Sequence, residues 1–108
     1  MPKAIMFVQS SPSHPDREDE YNAWYSDVHI PEVCAVDGIT GASRYKLSDV
    51  TPLGPDAHRY AAVYELDSDD LKGVFGEIAA RAMDGRMHMS DVLSMDPPPS
   101  MMIYEVMD

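Results

Sequence analysis

A single cysteine, Cys34, is all the thiol this 108-residue chain carries, so no disulfide forms within it. A small disulfide-stapled scaffold is thereby excluded. Positive charge is also scarce: 8 Lys and Arg face 19 Asp and Glu, for a formal net charge of −11. Nucleic acids and anionic membranes are bound through basic surfaces, so neither is an expected partner. No run approaches the ~18 apolar residues of a membrane span. The apolar N-terminal stretch at residues 4–8 is too short for a signal peptide, and a reducing cytoplasm is the expected compartment. The chain lacks Cys-x-x-Cys, His-x-Glu, a phosphate-cradling glycine loop and a Gly-x-Ser-x-Gly elbow. Zinc, nucleotide and serine-hydrolase chemistry are unsupported, and neither a metal nor a cofactor is expected.

The residues present describe one domain over 1–108, with an ordinary apolar fraction of 44%. Alternation predicts strands over 3–9, 39–47, 59–66 and 101–106. On the second strand, Ile39, Gly41, Ser43, Tyr45 and Leu47 are expected to oppose Thr40, Ala42, Arg44 and Lys46. A helix starting near Asp16, capped by Asp16 or Ser13, runs to about His29. Pro31 is expected to bend or end it, since proline has no N–H and crowds the preceding turn. A short helical piece follows to Val36, and Asp37-Gly38 stops it. The third helix opens at Asp67-Ser68-Asp69-Asp70, shows Leu71, Val74, Phe75, Ile78, Ala79 and Ala82 as one stripe, and closes at Asp84-Gly85. Residues 50–57 read as a loop. Residues 86–98 read as irregular and methionine-rich.

This order, βαββαβ, gives an α+β ferredoxin-like sandwich with two helices on one face of a four-stranded antiparallel sheet. Apolar residues occupy both faces of the strands. The uncovered face calls for a second copy, so a homodimer packed sheet to sheet is expected.

The densest cluster of rare residues lies at 20–32. It holds the only tryptophan, two tyrosines and one of four histidines. Tyr21, Trp24, Tyr25 and Val28 recur at helical spacing, and His29 follows Tyr25 by one turn. The pattern Asn22-x-Trp24-Tyr25-x-x-x-His29-x-Pro31, then Gly38, then Arg44-Tyr45, resembles the EthD-like members of the dimeric α/β-barrel superfamily. The stretch Tyr60 to Leu66 is similar to that family's third strand. The resemblance implies a homodimeric α/β barrel built from two ferredoxin-like sheets. It leaves the reaction open, because related barrels include isomerases, cyclases, monooxygenases and haem-degrading enzymes.

His29 is the expected proton-transfer group, because an imidazole titrates near working pH. Tyr25 is its expected catalytic partner. Trp24 is expected to wall the pocket. Arg44 would hold a carboxylate or enolate, and Tyr45, Tyr60 or Tyr64 would donate to a developing oxyanion. The competing reading makes the aromatics core, His29 a helix-end packing residue and Arg44 a salt-bridge partner. The run Arg86-Met87-His88-Met89 would suit Cu(I), yet no Met array repeats, and methionine commonly fills apolar surface. The expected function is a cofactor-independent lyase or isomerase acting next to a carbonyl of a small apolar or aromatic molecule. The alternatives are a monooxygenase of the same fold and a non-catalytic barrel that binds a small molecule.

Overall fold

A computed structural model describes residues 3–50 and 58–107. Four strands form one antiparallel sheet: β1 (Lys3–Ser10), β2 (Ile39–Lys46), β3 (Tyr60–Asp67) and β4 (Ser100–Glu105), in the spatial order β2-β3-β1-β4. Between β1 and β2 lies one continuous helical rod: a 3-10 turn at Pro15–Arg17, α1 (Glu18–Trp24), a π turn at Tyr25–His29 and α2 (Ile30–Cys34). A third helix, α3 (Leu71–Asp84), joins β3 to β4. The chain is therefore the expected βαββαβ sandwich. Residues 51–57 of the expected 50–57 loop lie outside the described residues.

Period-two alternation sorts the sheet into a helix-covered face and an open face. Ala4, Met6, Val8 and Ser10 of β1 are buried toward the helices, as are Tyr60, Ala62, Tyr64 and Leu66 of β3. Tyr21 and Tyr25 come down from the first rod, and Val74 and Ile78 from α3, to complete the core. Helix α3 is delimited as its sequence requires. The Asp70 carboxylate accepts the Gly73 N–H at 2.9 Å, and Gly85 takes the left-handed conformation at φ 90°.

Three local expectations need correction. The first rod is capped neither by Asp16 nor by Ser13: His14 Nδ1 accepts the Asp16 N–H instead, at the start of the 3-10 turn. Pro31 does not end the helix. The turn ahead of it widens so that the Ile30 N–H reaches the Tyr25 carbonyl, five residues back, and Pro31 enters α2 at its first turn, where a missing N–H costs least. On β2, a register shift between Ile39 and Gly41 breaks the simple alternation. Ile39 pairs with Leu66, Ala42 with Tyr64 and Arg44 with Ala62, so Ile39, Ala42 and Arg44 share the helix-covered side. The expected grouping of Ile39 with Gly41, Ser43 and Tyr45 is lost.

Candidate functional site

The π turn sets His29 in the space between the helices and the sheet. Its ring stacks on Trp24 (centroids 4.8 Å apart, planes at 23°) and meets the edge of Tyr25 (4.9 Å, 75°). Tyr25 is 2% exposed and Tyr64 of β3 is fully buried; their hydroxyl oxygens lie 3.5 Å apart. Both phenols and the imidazole line one cavity of about 260 Å³. Its floor is Met6 and Val8 of β1, its far wall is Ile78 and Ala82 of α3, and Met87, Met89, Leu93 and Met95 approach from the segment after α3. Among the described residues, no Asp, Glu, Lys or Arg lines it. The volume falls just below the ~300–1,000 Å³ of sites for drug-sized ligands, which suits a small and largely apolar molecule.

Burial governs the electrostatics. Desolvation pushes the His29 imidazole from 6.5 down to about 4, and the nearby Glu32 carboxylate offsets this only in part. The ring is therefore neutral at pH 7. Its Nδ1 is buried and has no hydrogen-bond partner among the described residues. Desolvation also raises the Tyr25 and Tyr64 phenols, so both stay protonated and able to donate. Ser10 is buried at the cavity edge, but its hydroxyl is already engaged with Tyr21, whose phenol burial pushes up to about 12.

Of the expected site residues, the structure brings His29, Tyr25 and Tyr64 together around the cavity. Trp24 stands behind His29 and gives its indole N–H to the His88 carbonyl at 2.8 Å. Arg44 reaches the other side of the aromatic cluster. Its guanidinium lies 4.6 Å from the Tyr25 ring centroid and donates to the Asn22 side-chain oxygen (2.9 Å) and to Ser26 Oγ (3.0 Å). Arg44 therefore braces α1 and Tyr25 by cation–π contact, and it lines no part of the cavity. Tyr60 turns its hydroxyl toward Glu18, 2.7 Å away, and also lies outside the cavity. Tyr45 is on the opposite face of the sheet, 56% exposed, beside Phe7 and Ala61.

Sequence reasoning missed Ser10 and the methionines of the cavity wall. Ser10 was readable, since it continues the Ala4, Met6, Val8 alternation by one step. The segment after α3 carried no periodicity to place it. His88 is tied to Glu32, which accepts its N–H at 2.7 Å and contacts its Nδ1, so this histidine anchors the segment.

No protein-family model matches the chain, and no curated protein matches it in sequence. Solved structures do match it in three dimensions. A protein described as a candidate monooxygenase, from Shewanella loihica PV-4, superposes with a TM-score of 0.61 at 13% identity, over 100% of this chain and 98% of that one. An ethyl tert-butyl ether D (EthD) family protein from Bacillus halodurans C-125 gives 0.54 at 14% identity, over 99% of this chain and 100% of that one. A dimeric ferredoxin-like protein of unknown function from Thermobifida fusca YX gives 0.54 at 13%, over 97% and 92%. The chain has their ferredoxin-like fold. The likeness to EthD-like proteins read from the helix motif is met in that fold, over essentially the full length of both chains. Identities this low carry the architecture and leave the chemistry to the residues of the cavity.

Proposed function

We propose that this protein is a cofactor-independent enzyme of the lyase or isomerase type, which removes a proton next to a carbonyl of a small apolar or aromatic molecule. The observation that carries the reading is a neutral imidazole with a buried, unpartnered Nδ1, lining a cavity beside two protonated phenols, with no Asp, Glu, Lys or Arg among the described lining residues. The substrate carbonyl would accept from the Tyr25 hydroxyl, which itself accepts from the Tyr64 hydroxyl. His29 takes the proton from the adjacent carbon, and the C–H electrons move into the carbonyl to give an enolate held by the Tyr25 hydroxyl. Return of the proton to another atom isomerises the molecule. Loss of a neighbouring leaving group completes an elimination.

An imidazole near 4 is a weak base in the empty site. The negative charge of the enolate forms in the same low-dielectric space as the imidazolium, and the Trp24 face stacks on that ring. Both raise its proton affinity along the reaction.

A second reading is favoured by the name of the Shewanella loihica neighbour, a candidate monooxygenase. There the same deprotonated substrate would react with molecular oxygen. The test is to release any small molecule from denatured purified protein, identify it by mass spectrometry, and return it to fresh protein with and without oxygen. Conversion under argon is the expected result. Strict oxygen dependence selects the monooxygenase. Tight binding without conversion would overturn both and leave a binding barrel.

The protein is also proposed to act as a homodimer. The open face carries Tyr45, Met102 and Tyr104, each at least half exposed, next to Phe7. The Thermobifida fusca neighbour is dimeric by name. Packing this face against its copy removes an apolar patch that a monomer would leave in water. Light scattering is expected to return twice the 12.0 kDa of one chain, and a monomer mass at micromolar protein contradicts it.

A further inference from the structure

Residues 86–99 follow α3 and lie across the cavity instead of running directly to β4. They are held at both ends. At the far end, the Ser13 N–H donates to the Val92 carbonyl (2.7 Å) and the Ser94 N–H to the Ser11 carbonyl (2.9 Å), while Arg17 pairs with Asp91 at 3.0 Å. At the near end, Arg86 pairs with Asp84 and Glu77 and the Met87 N–H donates to the Arg81 carbonyl, while the hydrogen bonds to the first helical rod converge on His88. Its carbonyl accepts the Trp24 indole N–H, its N–H is received by Glu32, and its Nδ1 sits against the same carboxylate. The His88 side chain is 79% exposed, so the grip is on its backbone and one ring nitrogen.

Trp24 performs two tasks in this arrangement. One edge of its indole holds the His88 carbonyl, and its face stacks on His29. Glu32 lies one turn along the same rod from His29 and holds the other side of His88. The segment cannot lift at residue 88 without releasing the indole that fixes the imidazole plane. We propose that Trp24 and Glu32 are positioning residues, which couple docking of the methionine segment over the cavity to the orientation of His29. Closure and alignment of the proton-transfer group are then one event, so the imidazole is set only when the cavity is shut.

This inference builds on the function proposed above, but its readouts do not use turnover. A failed turnover test of His29 would remove the catalytic reading and leave these readouts standing. The charged and titratable groups around His29 are few. Glu32 is on its own rod with His88 of the 87–99 segment against it, the Tyr25 and Tyr64 phenols flank the cavity, and among the described residues the α3 and 87–99 walls add no Asp, Glu, Lys or Arg to its lining.

The experiment is hydrogen exchange of the segment together with an NMR titration of the His29 ring, in Glu32→Ala and Trp24→Phe. Phenylalanine keeps an aromatic ring to stack and removes the indole N–H together with part of the stacking area. Amides around His88 are expected to exchange about tenfold faster or more in both variants. The His29 midpoint is expected to climb from about 4 toward 6.5 as water reaches the ring. That sign is decisive for Glu32→Ala. Loss of the carboxylate's attraction alone would push the midpoint lower, because Glu32 raises it in the intact protein. Glu32→Gln retains an acceptor for the His88 N–H and is expected to restore much of the slow exchange. Unchanged exchange, or faster exchange with a His29 midpoint that stays or falls, overturns the coupling. Should Glu32→Ala fail to fold, Trp24→Phe gives both readouts.

Discussion

His29→Phe is expected to lower turnover of the natural substrate by about 10²–10⁴-fold, the usual contribution of a positioned general base. Phenylalanine preserves the stack on Trp24 and the edge contact with Tyr25, so the cavity wall stays in place. It removes both ring nitrogens, including the Nδ1 that is buried without a partner among the described residues. Substrate affinity is expected to change far less than kcat, since the imidazole works on the reacting carbon after the Tyr25 phenol has placed the carbonyl. Steady-state kinetics on the substrate identified from the purified protein checks this. Undiminished kcat would make His29 a packing residue.

The second large effect is on stability in acid. His29 ordinarily titrates at 6.5 and in the folded protein at about 4, so the unfolded chain binds the proton more tightly. Above 6.5 both states hold a neutral ring and stability is complete. As the pH falls from 6.5 to about 4 the unfolded state protonates first, and stability drains away by up to about 3 kcal/mol. Other groups titrate in the same range. Glu77 and Asp84 are held below the usual carboxylate range by hydrogen bonds to Arg81 and Arg86, and they also lose stability on protonation. Relief of repulsion in a chain of −11 acts in the opposite direction. The difference between wild type and His29→Phe cancels both contributions. Urea unfolding at pH 7 and at pH 4.5 is expected to show a clearly steeper loss for wild type, and parallel losses would place His29 in contact with water.

Most of the fold was legible in the sequence, because each strand carries one buried face at period two and α3 carries its own caps. The strands over 3–10 and 60–67 and the stripe from Leu71 to Ala82 needed nothing beyond local pattern. What local pattern does not record is a single inserted residue. The register shift between Ile39 and Gly41 moves Arg44 to the side of the helices and leaves Tyr45 on the open face. A strict alternation assigns the second strand's faces wrongly for that reason. The π turn is hidden in the same way, since Pro31 signals a break and the widened turn absorbs it.

The candidate site divides along similar lines. Tyr25 and His29 are one turn apart, and their proximity followed from helical spacing alone. Tyr64 joined them because β3 alternates without interruption. Arg44 was placed on the correct strand, but its actual neighbours are the Tyr25 ring, Asn22 and Ser26. The hold of Trp24 and Glu32 on His88 joins residues more than fifty positions apart, and no periodicity or spacing connects them.

The central claim is that His29 moves a proton at a carbon next to a carbonyl. Solvent exchange measures that step directly. The natural substrate incubated with the protein in D₂O, under argon, is expected to gain deuterium at that carbon, in recovered substrate or in product, with His29→Phe slowing the uptake by the same factor as kcat. Uptake at an equal rate in His29→Phe, or, where the same proton is returned without uptake, substrate deuterated at that carbon reacting with no primary isotope effect, would contradict the account.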